Sequence, residues 1–158
     1  YAPRRLLDRY YASGLPDDAL SEVDWVTGAA LFLRREVYEQ VGGLGEEFFM
    51  YSEELDWQRR IRSGGWKIAW QPRAEVFHFE GKSSEQVPAE THIRFNRSKI
   101  RYFRKYHGAA VAGTLRGFLL LSFAQQIVVE SFKFALRHKP ELRRQRIRAY
   151  WKVIASGL

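Results

Sequence analysis

The stretch from Gly42 to Asp56, GGLGEEFFMYSEELD, sets five carboxylates (Glu46, Glu47, Glu53, Glu54 and Asp56) among Phe48, Phe49 and Tyr51. Aromatic side chains contribute most when buried, so a solvated acidic run rarely carries so many of them. Acids held beside buried aromatics lose hydration, and their pKa values rise toward the range where a carboxylate acts as a base. The competing reading is a surface helix start whose acids complement the helix dipole. These residues alone leave both readings open.

The rest of the chain narrows the choice. Its 158 residues suffice for one compact domain with a sizeable core. Without cysteine there is no disulfide scaffold, zinc-thiolate site or cysteine nucleophile. The start, YAPRRLLDRYY, has no apolar core of a signal peptide and no initiator Met, and reads as an excerpt from a longer protein. Residues 22–91 hold 8 basic and 13 acidic side chains, whereas residues 92–158 hold 15 basic and 2 acidic. An acidic body followed by a basic tail points to an anionic surface as partner. The expected division is a body at 1–91 and a helical tail at 92–158.

Residues 1–21 show no periodicity and read as loop. Trp25 to Leu33, WVTGAALFL, is a continuous apolar run suited to a strand buried on both faces. Gly28 within it weakens a strand unless something approaches the backbone there. Arg34 to Val41 reads as a short helix stopped by Gly42 and Gly43. Ser52 is placed to cap a second helix that carries Glu53 and Glu54 in its first turn and ends at Gly64-Gly65. Trp66, Ile68 and Trp70 alternate as a strand ended by Pro72, and Ala74 to Phe79 alternates as another, with His78 on one face. A basic helix is expected from Pro88 to His107 with Gly108 as its stop, then an apolar segment at 109–137, then a last basic helix after Pro140.

His78 tips the balance toward a site. A helix opening with acids, followed by a strand that ends in an imidazole, brings both groups to one edge of an α/β sheet, where sites gather. Imidazole with oxygen ligands suits Mn²⁺ or Mg²⁺, especially where phosphates supply further oxygens.

The succession WVTGAALFLRRE, VGGLGEEFFMYSEELDWQRRIRSGGW and PRAEVFHFEGKSS resembles the C-terminal half of family-2 glycosyltransferases of the GT-A fold, in particular the bacterial rhamnosyltransferase-like branch. RFNRSKIRYFRKYHG and the tail after it match how those proteins continue, so the likeness runs from about Val23 onward. The fold class it implies is α/β: half of a mixed GT-A sheet with flanking helices, plus C-terminal amphipathic helices. The activity it implies is inverting transfer of a sugar from a nucleotide-sugar, dTDP-rhamnose or a similar hexose donor, to a hydroxyl of a glycan or polyprenyl-linked acceptor. Glu54 matches the catalytic base position, with Asp56 as the next acid of the motif and the reserve base. Trp25, Thr27 and Gly28 fall where the family shapes its acceptor site, to which Glu46 and Glu53 would add contacts. His78 matches the metal-ligand histidine of an Mn²⁺ or Mg²⁺ that offsets charge on the leaving diphosphate.

Three departures stand out. After the glycine pair, Leu44, Gly45 and Glu46 replace the usual phenylalanine–aspartate–glutamate, leaving Glu46 and Glu47 as substitutes. Glu54 stands where aspartate is usual, and one methylene moves a carboxylate by roughly 1 Å, enough to matter for reacting groups ~3 Å apart. The family's Asp-x-Asp metal motif is absent. The chain is therefore expected to hold the acceptor side without the donor side, and not to catalyse transfer alone.

In the apolar segment, Arg116, Gln125, Gln126, Glu130 and Lys133 would be costly at mid-bilayer. Ser122, Gln126, Glu130, Lys133 and Arg137 form a polar stripe opposite an apolar arc, which fits a helix lying in the membrane interface better than a span. The expected place is the cytoplasmic face of the bacterial inner membrane, with residues 92–158 on anionic lipid. A second reading is a non-catalytic basic module holding anionic membrane or nucleic acid. Nucleic acid is not the expected partner, because the body's aromatics sit with acids that repel phosphate.

Overall fold

The computed structural model describes residues 13–16, 18–78 and 88–158, with Arg4 and Asp8. The chain divides into two compact units, one of Tyr1–Gly45 with Glu53–His78 and one of Glu46–Ser52 with Phe79–Leu158. The acid-and-aromatic stretch is thus shared between them. Residues 46–52 belong to the second unit, and the helix that follows belongs to the first.

In the first unit, β1 (Ser21–Val23) pairs antiparallel with β2 (Ile68–Trp70), Val23 lying opposite Ile68. The strand expected around Ile68 is present, and its partner begins inside the segment read as loop. Between the strands come α1 (Arg35–Val41) and α2 (Glu53–Ser63). Helix α1 stops at Gly42, whose φ of 72° suits glycine and whose N–H is bonded to the Tyr38 carbonyl. Val37, Trp57, Ile61 and Ile68 form the core, with Val26 and Trp66 packed against them. The Trp57 indole sits inside because its Nε1 donates to the Gly42 carbonyl at 2.7 Å.

Two expectations fail in this unit, and a third fails at Ser52, immediately before α2. Trp25 to Leu33 is not a strand: Thr27 to Ala30 are exposed and Phe32 is 95% exposed. A strand buried on both faces needs ladder partners on both edges, and among the described residues the sheet contains only β1 and β2. Ala74 to His78 is likewise irregular and exposed, while Phe79 lies outside the described residues. Ser52 does not take the extended conformation of an N-cap. Its φ is 67°, and Tyr51 before it has φ 69°. Left-handed backbone costs a non-glycine residue about 1–2 kcal/mol, so this joint is strained at two successive residues.

The second unit is helical. Helix α3 (Pro88–Ala135) is broken at Gly108, whose φ of 86° and ψ of 170° interrupt the helical backbone at the expected stop. Helix α4 (Pro140–Ala155) begins with proline in its first turn, where a missing N–H costs nothing. The ring of His92 lies 5.6 Å from Phe123 and 6.1 Å from Tyr150, with Phe123 and Tyr150 5.7 Å apart. Contact between His92 and Phe123 requires the two halves of α3 to fold back on each other about Gly108. With α4 alongside, they make three helical segments, each antiparallel to the one before it. The pairs along α3 and α4 are Glu130 with Arg143, Phe123 with Tyr150 and Arg116 with Gly157. Each step advances seven residues along both segments, the last one reaching Gly157 just beyond the end of α4, and seven is the repeat of a coiled-coil seam.

Residues 46–52 ride on the first half of α3. Ser98 Oγ donates to the Met50 carbonyl at 2.7 Å, Tyr51 meets Phe95 edge-on at 5.4 Å, and Lys105 pairs with Glu47 at 2.7 Å. The polar stripe of the apolar segment does not simply face water. Glu130 is 3% exposed, 2.8 Å from Arg143 and within 4.0 Å of Arg146 and Lys133. The apolar arc points outward, with Phe118, Leu121, Val128 and Phe132 between 65% and 73% exposed. Within Ala89–Ala135, α3 contains an 18-residue window apolar enough to cross a membrane by length and composition.

Candidate functional site

Helix α2 brings three of the expected residues into one turn. Glu53, Glu54 and Asp56 stand in its first turn, where free N–H groups and the helix dipole favour negative charge. Their surroundings separate them. Asp56 is fully buried, and its Oδ2 accepts from Arg60 Nε at 3.0 Å. The same guanidinium donates to the carbonyls of Val41 and Gly43, the latter at 2.6 Å. Asp56 therefore fixes an arginine that holds the glycine turn after α1, a forked arrangement a lysine does not reproduce.

Glu54 is half-buried, and burial raises its carboxyl above the ordinary range. The neighbouring Glu53 charge adds to the rise, while backbone N–H bonds oppose it. The Oε2 atoms of Glu53 and Glu54 are both buried and, among the described residues, without a hydrogen-bond partner. A desolvated carboxylate oxygen with an open acceptor position is what proton abstraction requires.

The loop carrying Trp25, Thr27 and Gly28 lies against this turn. A Cβ placed on Gly28 would approach Cβ and Cγ of Glu54 to 3.2 Å, tighter than ordinary contact. This is the close approach that favours glycine at this point of the apolar run. Trp25 is half-buried, and Thr27 and Gly28 are exposed. The loop is held by Gln58, one turn beyond Glu54. Its Oε1 accepts from Val26 N at 2.7 Å, and its Nε2 donates to Val26 O at 2.7 Å and to Glu54 O at 3.0 Å.

The remaining expected residues are not part of this cluster. Glu46 is exposed and belongs to the second unit. His78 is exposed in the irregular segment that replaces the expected strand. Among the described residues no group of three or more His, Asp or Glu side chains could hold a metal ion. The described residues thus do not themselves form a site for Mn²⁺ or Mg²⁺. Gln58 and Arg60 are the contributors that the sequence reading passed over. A polar residue four positions after Glu54, between the buried Trp57 and Ile61, is the signal that could have found Gln58.

The family model for glycosyltransferase like family 2 matches residues 9–98. Two strains of Mycobacterium tuberculosis carry an N-acetylglucosaminyl-diphospho-decaprenol L-rhamnosyltransferase that is 33% identical over 124 residues, covering 76% of this chain and 40% of the relative. An uncharacterized protein of Sinorhizobium fredii is 35% identical over 83 residues, 51% of this chain and 9% of that protein. No solved structure gives a significant match. The chain spans about 40% of the length of the curated rhamnosyltransferases it matches. It belongs to glycosyltransferase family 2, with the GT-A fold that membership implies, and is rhamnosyltransferase-like.

Proposed function

We propose that this chain is the acceptor side of an inverting glycosyltransferase that moves rhamnose, or a similar hexose, from a nucleotide-sugar to a hydroxyl of a lipid-linked glycan. The observation that carries the reading is the Glu54 carboxyl, desolvated, with an open buried oxygen beside a loop of aromatic and hydroxyl character. In the proposed step Glu54 takes the acceptor O–H proton as that oxygen bonds to the anomeric carbon. The bond from that carbon to the diphosphate breaks, and the electron pair leaves with the nucleoside diphosphate. Asp56 acts through Arg60, keeping the turn before α2 in place, and Glu53 borders the acceptor position. The activity of the mycobacterial relatives, rhamnose transfer to a decaprenol-linked sugar, supports both the donor class and the lipid-linked acceptor.

Enzymes of this family commonly use a divalent ion, which would stabilise charge on the leaving diphosphate. His78 is the candidate ligand this chain contributes, and the remaining ligands and the donor site would come from the rest of the polypeptide. The place of action is the cytoplasmic face of the inner membrane. The outward apolar arc of α3, the burial of Glu130 against Arg143 and the basic excess of residues 92–158 support contact with anionic lipid.

The test is release of nucleoside diphosphate from dTDP-rhamnose by the complete polypeptide with membranes, compared with its Glu54→Gln variant. Transfer that survives this substitution overturns the assignment of the base. Polyanion binding unaffected by Glu54→Gln, with no transfer from any nucleotide-sugar, would favour the non-catalytic module instead.

A further inference from the structure

Gln58 is 3% exposed, yet among the described residues none of its hydrogen bonds goes to another side chain. Its amide meets both the N–H and the C=O of Val26, as a neighbouring strand would, although no strand lies there. The second hydrogen of Nε2 goes to the carbonyl of Glu54 itself. One side chain therefore ties the loop bearing Trp25, Thr27 and Gly28 to the helical turn bearing Glu54. Gly28 permits the approach by leaving no Cβ in the way of the glutamate stem.

We propose that Gln58 is a positioning residue for the acceptor: it sets the loop at a fixed height over the Glu54 carboxyl and so determines how well the acceptor sugar is held. This rests on the reading of the Trp25–Gly28 loop as acceptor-binding and does not require Glu54 to be the base. It does not depend on the identity of the donor or acceptor. A primary amide suits the task because it is both donor and acceptor. A carboxylate lacks the donor for Val26 O, and an apolar side chain lacks both. Leaving the peptide groups of Val26 unpaired frees the loop to move.

The experiment compares Gln58→Leu, Gln58→Glu and Glu54→Gln with the wild type in the complete polypeptide. Two readouts are used: the KM values of donor and acceptor, and amide hydrogen exchange of the peptide covering residues 23–30. Gln58→Leu should raise the acceptor KM on the order of tenfold, since small misplacements at a reacting site carry large penalties, and leave the donor KM unchanged. Exchange should accelerate at residues 23–30 and remain slow at Trp57 and Ile61.

Gln58→Glu provides a signature that a merely structural role would not give. Its protonated carboxyl supplies one donor and one acceptor and restores both bonds to Val26, whereas the ionised form cannot donate. Its acceptor KM should therefore fall toward the wild-type value as pH is lowered, with no such trend in wild type or Gln58→Leu. Unchanged exchange at residues 23–30, or donor and acceptor KM values that rise together, overturns the proposal. An active Glu54→Gln enzyme overturns the base and leaves the Gln58 result standing. A wild-type protein that transfers nothing overturns the transferase reading and with it the acceptor role of Gln58, while the exchange data still decide whether the amide holds the loop.

Discussion

The two units differ in what surrounds their most buried polar side chains, although Ser98 in the second, like Gln58 in the first, bonds a loop carbonyl. In the first, Asp56 and Gln58 are buried, and the bonds of Gln58 and of Asp56's partner Arg60 end largely on backbone carbonyls and an N–H of loops far along the chain. In the second, buried Glu130 meets guanidinium groups of the neighbouring helix, and large apolar side chains face outward. A buried group bonded to a loop backbone fixes where that loop runs, which a catalytic or binding site needs. A buried ion pair between helices fixes register, and it frees the outer surface to be apolar. Placement of a site characterises the first unit, and presentation of a surface the second.

The largest expected break in this contrast is Glu54→Gln. Loss of a general base costs about 10²–10⁴-fold in kcat, read as nucleoside diphosphate release. Stability should move the other way. The folded state holds the Glu54 proton more tightly than the unfolded chain, so this group's contribution is full below the ordinary carboxylate pKa of 4.5 and is lost as pH rises through the raised value. At neutral pH the Glu54→Gln variant, uncharged at that position, should therefore melt slightly above wild type. In wild type the acid limb of kcat should lie above that ordinary value.

Next comes Glu130→Ala. It strands the Arg143 guanidinium inside the helices and should destabilise the second unit by about 3–5 kcal/mol, seen as loss of helical signal in circular dichroism. The paired change Glu130→Met with Arg143→Leu should recover most of that loss. If Glu130→Ala is silent, the ion pair does not set the register.

Phe118→Ser with Phe132→Ser tests the outward face. These side chains are already exposed, so stability should change by less than about 0.5 kcal/mol each. Each phenylalanine buried in lipid is worth about 1.5–3 kcal/mol, so binding of the double variant to anionic vesicles should weaken by about 10²–10⁴-fold. Unaltered vesicle binding with a change of oligomeric state would make the arc an interface between copies of the chain.

The smallest effect concerns His92, packed against Phe123 and Tyr150. Burial holds its imidazole below the ordinary 6.5. The unfolded chain therefore takes up the proton first. Stability from this group is full above about pH 6.5 and declines as pH falls toward the lowered folded value. His92→Phe should flatten that decline in thermal melts of the helical unit.

How far the sequence revealed this molecule depends on how local each cause is. Gly42, Gly64-Gly65, Gly108 and Pro140 end or begin helices where expected, because their constraint is the conformation of one residue. The run Trp25 to Leu33 misleads for the contrary reason: its apolar side chains favour a strand, but a strand exists only with a neighbour to pair with. Ala74 to His78 fails in the same way. Among the site residues, Glu53, Glu54 and Asp56 share a helical turn and were legible as a group. The role of Gln58 depends on a peptide 32 positions earlier in the chain, and nothing at position 58 announces it. The burial of Glu130 depends on an arginine 13 positions later, so the helical stripe alone does not reveal it.

The seven-residue steps shared by α3 and α4 also act as a ruler on insertions and deletions. One residue added between Arg116 and Glu130 would turn everything beyond it by about 100° around the helix axis. That would swing Glu130 away from Arg143 while Arg116 still faced Gly157. An insertion of seven would restore the match only if α4 gained the same length. The turn at 136–139 lies outside the seam and carries no such restriction. Length variation in this part of the protein should therefore collect in the turn, and within the helices should come in matched heptads.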